Sequence, residues 1–198
     1  ALPIFTKSNH YYCWILPSNI EFMIKKIVIT GAPSTGKTSL IHKLQQEGFI
    51  CIPEISREII SQQIAIEGEA LPWKNLAAFS KQVAVLRKAQ FINATKNSTH
   101  FFDRGLIDVV AYMNIDKLEI PEFISDFLNK NKYHSTVFIT PIWEEIFEND
   151  RERKENIEQA ILIEKQLKKC YQSFGYDIIE IPKLSIEERV NFIISHIK

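Results

Sequence analysis

The chain has 198 residues, with 24 Lys plus Arg balanced by 24 Asp plus Glu, 45% hydrophobic and 24% charged residues. That length suits one domain with or without a small appendage, and it buries a full core unaided. Balanced charge argues against a protein built on broad attraction to nucleic acid, and no apolar run reaches the roughly 18 residues of a membrane-spanning helix.

Residues 1–22 mix Pro3, His10, Tyr11, Tyr12, Trp14 and Pro17 with neither helical nor strand periodicity. They read as an N-terminal extension outside a core domain of residues 23–198. The three cysteines, Cys13, Cys51 and Cys170, match no metal or redox spacing. Free thiols in a reducing compartment, the cytoplasm, are the expectation.

From residue 27 onward short apolar runs alternate with helical patterns. The runs at 27–30, 49–53, 100–103, 136–140 and 177–181 are continuous rather than alternating, as in parallel strands covered on both faces. Helical patterns occupy 38–47 (Leu40, Ile41, Leu44), 55–67 (Ile59, Ile60, Ile64) and 75–96 (Leu76, Phe79, Val83, Leu86, Gln90). Others follow at 106–113, 121–129, 154–174 (Ile157, Ile161, Glu164, Leu167) and 185–197, the last opened by a Ser185–Glu188 capping box. Strands alternating with helices give an α/β fold.

After the first strand stands Gly31-Ala32-Pro33-Ser34-Thr35-Gly36-Lys37-Thr38. This is the G-x-x-x-x-G-K-[ST] phosphate-binding loop. Gly31 permits the sharp turn, and Gly36 lets backbone approach phosphate oxygens. The amides from Ser34 to Ser39, Thr35 among them, form a nest of donors at a helix N-terminus. Lys37 reaches the β and γ phosphates, and Thr38 offers a hydroxyl to Mg²⁺.

Glu54 follows the second strand, at the carboxyl edge of the sheet where open α/β folds bind ligands. It suits accepting from a substrate hydroxyl, and Arg57 suits an anionic group; capping by Glu54 and surface pairing by Arg57 are the alternatives. Trp73 reads as a packed loop aromatic rather than a stacking platform. Asp103 ends the third apolar run, where an acid holds the Mg²⁺ bound at Thr38 or, alternatively, caps the next helix. Its neighbour is Arg104, not the Glu that polarises water in many ATP-driven machines. A cation there suits a phosphoryl group and leans towards phosphoryl transfer. Arg151 and Arg153, in the charged segment after the fourth strand, read either as lid arginines that neutralise a moving phosphoryl group or as a solvated helix turn. The guanine motif Asn-Lys-x-Asp is missing, since residues 129–132 read Asn-Lys-Asn-Lys. That argues against a Ras-like GTPase; ATP is expected as donor, with GTP open. The loop at Pro182 and Lys183 is a place to touch the base.

Taken in order, the phosphate loop, Pro53-Glu54 with Arg57-Glu58, Leu71-Pro72-Trp73, Phe102-Asp103-Arg104-Gly105 and Pro141-Ile142-Trp143-Glu144-Glu145-Ile146 with Asp150 and Arg153 resemble the AAA-type ATPase domain shared by NadR and the translocation-defect proteins. The resemblance runs from about residue 24 to the end. In NadR this domain is a ribosylnicotinamide kinase, while eukaryotic relatives are described as GTP-binding proteins of membrane trafficking. The resemblance implies a nucleotide-binding P-loop fold, with Asp103 as the strand-end acid, Arg104 as the kinase-like cation and Arg151 and Arg153 as lid arginines. Asp-Arg after the third strand also resembles thymidylate-kinase-like enzymes, whose acceptor is a nucleotide.

The expectation is a three-layer P-loop domain whose five parallel strands run in order 2-3-1-4-5. The expected function is Mg²⁺-dependent phosphoryl transfer from ATP to a small nucleoside- or nucleotide-like acceptor, whose hydroxyl Glu54 or Asp103 orients. The alternative is a nucleotide-dependent switch that binds a protein partner and hydrolyses slowly.

Overall fold

The computed structural model describes residues 25–95, 97–146 and 156–197. The 1–22 extension and the segment carrying Arg151 and Arg153 lie outside the described residues.

The strands are β1 (Lys25–Thr30), β2 (Ile50–Ile52), β3 (Thr99–Asp103), β4 (Thr136–Ile139) and β5 (Asp177–Glu180). They form one parallel sheet in the order β2-β3-β1-β4-β5, as expected, with the phosphate-loop strand central. The helices are α1 (Lys37–Gln46), α2 (Ser56–Ala65), α3 (Leu76–Asn93), α4 (Leu106–Ile115), α5 (Glu122–Lys130), α6 (Ile157–Ser173) and α7 (Ile186–His196). Among the described residues no helix is long and apolar enough to cross a membrane.

Successive strand side chains point to opposite faces, and here both faces are apolar. Ile27, Ile29, Phe101 and Phe138 face one way and pack with Leu40, Ile41 and Leu44 of α1 and Val190 and Ile193 of α7. Val28, Phe102, Val137 and Ile139 face the other way, under α3, α4 and α6. This two-sided burial is why the strand sequences are continuous apolar runs. Around Phe91 the second core is an aromatic cluster, edge-on to Tyr133 at 4.9 Å and to Phe127 at 5.4 Å between centroids.

Three helix faces differ from the sequence expectation. On α3 the buried stripe runs through Phe79, Val83, Arg87 and Phe91, while Leu86 is 45% exposed. Apolar residues surround this helix, so periodicity alone does not fix its phase; the Phe91 cluster and the reach of Arg87 to strand β2 do. On α2, Ile59 and Ile60 are buried but Ile64 is exposed, in a last turn beyond the three-residue edge strand. On α6 the stripe is Ala160, Ile163, Leu167, Cys170 and Tyr171, with Ile161 exposed. There a small residue and a tyrosine meet α4 where an isoleucine was expected.

Candidate functional site

β1 delivers the chain to Gly31, whose backbone runs against Thr140 at the end of β4. A Cβ at Gly31 would stand 2.2 Å from Thr140 Oγ1 and 2.6 Å from Thr140 O, so no larger residue fits. The loop then turns through Ser34 and Gly36, both at positive φ (59° and 79°), the latter the N-cap of α1. Thr35 Oγ1 hydrogen-bonds Thr140 Oγ1 at 2.6 Å and donates to Ala32 O at 2.9 Å. Lys37 folds back into the loop, its Nζ donating to Ala32 O at 2.6 Å and lying 3.2 Å from Thr35 Oγ1. Burial lowers its pKa to about 7, and the nearby Arg104 charge adds to the fall. The amine occupies the centre of its own anion nest and needs a negative ligand to remain charged there.

The parallel register sets Asp103 beside Ile29. Arg104 N donates to Ile29 O at 2.9 Å, and Arg104 adopts a left-handed backbone (φ 68°). For a non-glycine residue this conformation costs about 1 kcal/mol. Its guanidinium is buried, with Nη1 3.2 Å from Asp108 Oδ1 and Nε 3.7 Å from Glu54 Oε1. Asp108 also accepts from Thr30 Oγ1 (2.5 Å), Gly105 N (2.9 Å) and Tyr171 OH (2.5 Å). The N-cap of α4 is Gly105, and Asp108 in the first turn accepts from its N–H; Asp103 stands two residues before that cap.

Two carboxylates at this edge are pushed in opposite directions. Burial raises Glu54, but Arg104, Arg87 and Lys37 more than offset it and hold its carboxyl below the usual range. Burial keeps Asp103 above that range despite Lys37 and Arg104, with Glu54 pushing the same way as burial. The two carboxylates therefore sit in different electrostatic environments at one sheet edge.

These groups line one cavity of about 950 Å³. Its wall includes Ser34, Thr35, Gly36, Lys37, Thr38 and Ser39 of the loop, and Glu54, Arg57, Asp103 and Arg104. Apolar lining comes from Leu76, Phe79 and Val83 of α3 and Tyr112 and Ile115 of α4, with Trp73 also on the wall. Trp143, Leu184, Ile186 and Arg189 line it as well. Arg189 is buried, donates to Thr35 O at 3.4 Å and stands 5.9 Å from the Trp143 ring centroid. Pro182 and Lys183, expected near the base, are not in the lining; their neighbours Leu184, Ile186 and Arg189 are. Among the described residues three buried side-chain polar atoms lack a partner: Asp103 Oδ1, Arg87 Nη2 and Arg189 Nε. All three residues line this cavity.

The donors present fit a divalent cation held mostly by substrate and water. Among the described residues no cluster of three His, Cys, Asp or Glu exists. Thr38 and Asp103, with an unsatisfied carboxylate oxygen, are the donors that line the loop. That sparse set suits Mg²⁺, which binds one or two protein oxygens plus substrate phosphates and water. The described thiols are ordinary: Cys51 and Cys170 form no disulfide, and burial pushes the Cys51 thiol up to about 12.

Sequence reasoning missed Arg87, Asp108 and Arg189. Arg87 interrupts an apolar stripe, Phe79-Val83-Arg87-Phe91, and its Nη1 donates to Pro53 O at 3.2 Å, just before Glu54. Asp108 sits three residues after the N-cap Gly105, at capping-box spacing. Arg189 lies beside Val190 on the buried face of α7. A charged residue on an apolar face was the available signal in two of these cases.

Comparison with solved structures finds the same fold in proteins of low identity. Deoxyadenosine kinase from M. mycoides, with products dCMP and a flexible dCDP bound, shares 15% identity at a TM-score of 0.62, over 86% of this chain and 97% of that one. NadR in complex with NR shares 13% at a TM-score of 0.64, over 87% of this chain and 49% of NadR, so the chain spans about half of that protein. Thymidylate kinase from Ehrlichia chaffeensis shares 12% at a TM-score of 0.59, over 88% and 98%. No curated protein matches by sequence. The family model described as an AAA domain matches residues 26–189, nearly the whole described chain, and this protein belongs to that P-loop family.

Proposed function

We propose that the protein transfers the γ-phosphoryl group of ATP to a hydroxyl of a small nucleoside-like acceptor, in the cytoplasm and with Mg²⁺. The observation that carries this is Glu54. A carboxylate held ionised and paired to Arg104 lines the same cavity as the phosphate loop and the apolar side chains of α3 and α4. The kinase folds named above support the same reading.

Lys37 and the loop amides bind the triphosphate, and Thr38 and Asp103 hold the cation. When bound, Mg²⁺ neutralises developing charge on the phosphoryl oxygens. Glu54 orients the acceptor hydroxyl and takes its proton, while Arg104 moves onto the phosphoryl group. Arg151 and Arg153 are proposed to add charge from the segment that follows β4. The apolar lining of Leu76, Phe79, Val83, Tyr112 and Ile115 takes a flat ring, with Arg57 available on the same cavity wall. A neutral nucleoside is favoured over a nucleotide, because Glu54, which faces the acceptor in this reading, is an ionised carboxylate. A second phosphate there would meet Glu54 as a like charge.

The test is ADP release from Mg·ATP with and without a panel of nucleosides and nucleotides that includes nicotinamide riboside, with Lys37→Ala as the blank. Stimulation by one acceptor supports the proposal. Slow release indifferent to every acceptor contradicts it and favours the switch.

A further inference from the structure

We infer that Asp108 is the positioning residue of Arg104: it is the fixed carboxylate that keeps the guanidinium beside the phosphate loop when Glu54 turns to an acceptor hydroxyl. The inference rests on the phosphoryl-transfer reading above and assigns a role to a residue outside the reacting set.

Two carboxylates hold Arg104, and they are unequal. Glu54 Oε1 stands 3.7 Å from Nε, beyond hydrogen-bond distance, on a side chain 23% exposed. It is the looser of the two holds. Asp108 Oδ1 stands 3.2 Å from Nη1 on a side chain 4% exposed. Four donors converge on its two oxygens: Arg104 Nη1 and Thr30 Oγ1 on Oδ1, Gly105 N and Tyr171 OH on Oδ2. They come from β1, the turn after β3 and α6, so the carboxylate has no freedom to rotate. Thr30 is the residue before Gly31. The group that holds the arginine is thus bonded directly to the strand that carries the phosphate loop. Arg104 N bonded to Ile29 O makes a second tie to the same strand.

A capping role alone needs only Oδ2, the oxygen that Gly105 N uses. Oδ1 serves Arg104 and Thr30 and has no part in the cap. Asn at this position supplies one carbonyl oxygen where two are used, and its amide nitrogen faces a donor. It can keep the cap or the arginine but not both.

The test needs no knowledge of the acceptor. Binding of Mg·ADP is measured by titration calorimetry with and without aluminium fluoride, a mimic of the phosphoryl group in flight. The unmutated protein is expected to bind Mg·ADP more tightly with aluminium fluoride. In Asp108→Asn that enhancement falls about ten-fold, the worth of one charge-assisted hydrogen bond, while affinity for Mg·ADP alone stays within about three-fold. Asp108→Asn combined with Arg104→Ala is no worse than Arg104→Ala alone, because the two act as one unit. Tyr171→Phe removes one of the four donors and keeps the carboxylate. It is expected to lose about three-fold of the enhancement, and it carries the test should Asp108→Asn fail to fold.

An undiminished enhancement in Asp108→Asn, or in Tyr171→Phe when that variant stands in, overturns the inference. So do a parallel loss of Mg·ADP and aluminium-fluoride binding, and additivity with Arg104→Ala. Absence of any enhancement in the unmutated protein is a different result. It removes the phosphoryl-transfer reading itself, and Asp108's role with it.

Discussion

Lys37 gives an unusual prediction: affinity for a nucleotide falls as pH rises through the neutral range. Burial and the Arg104 charge lower its pKa to about 7 while its Nζ lies against Ala32 O and Thr35 Oγ1. Phosphate oxygens in the nest favour the charged amine, so the bound form holds its proton at higher pH. The sign follows: binding above pH 7 takes up a proton, and each further unit weakens binding by up to ten-fold, about 1.4 kcal/mol. If phosphate keeps the amine protonated beyond pH 9, the loss between pH 7 and 9 is about fifty-fold, roughly 2.3 kcal/mol. The terminal phosphate of ADP, with a second pKa of about 6, is already ionised over this range and does not reverse the trend. The assay is calorimetry of metal-free ADP in two buffers of different ionisation enthalpy. Uptake near one proton per ADP at pH 8 is expected. Lys37→Arg keeps a cation that does not titrate here and should bind with a flat profile. Zero proton uptake, or the same slope in Lys37→Arg, would refute the reasoning.

Other expectations follow from single contacts. Glu54→Gln keeps the shape of the side chain and removes the base, so kcat/KM with the responding acceptor should fall about 10²–10⁴-fold while ATP binding persists; steady-state kinetics beside calorimetry checks this. Gly31→Ala forces a methyl into Thr140 and should cost about 2 kcal/mol or more together with nucleotide binding. Gly48→Ala meets nothing within 4 Å but sits at φ 90°, so it should cost about 1 kcal/mol and leave nucleotide affinity unchanged; urea unfolding compares the two. Phe91→Ala empties the centre of the aromatic cluster and should cost about 3–5 kcal/mol, read in the same way.

The phosphate loop was legible because its signal is local, and the strand order followed from reading that loop as part of a P-loop fold with right-handed crossovers. A β-branched run ending in Gly31, and Gly36 before Lys37, need no distant partner to be read. Helix phase on α3 was not local. Val85, Leu86 and Ile92 are exposed while Arg87 is buried, and its Nη1 donates to Pro53 O in the segment after β2. Glu54 and Arg104 were each read as edge residues. Their pairing joins positions far apart in sequence and depends on β2 lying beside β3. Asp103 was open to a capping role in the sequence; in the structure the N-cap of α4 is Gly105, whose N–H is bonded to Asp108 Oδ2. Asp108 escaped notice because its four donors come from β1, the β3–α4 turn and α6, a convergence that no window of sequence contains.

The most direct measurement follows the phosphoryl group itself. The protein is incubated with Mg·ATP labelled in the γ-phosphoryl group and with the acceptor panel, and the products are separated. Label on an acceptor hydroxyl, lost in Lys37→Ala and strongly reduced in Glu54→Gln, is the predicted result. Label found only in inorganic phosphate, at a rate unaffected by Glu54→Gln, would contradict phosphoryl transfer to a nucleoside-like acceptor.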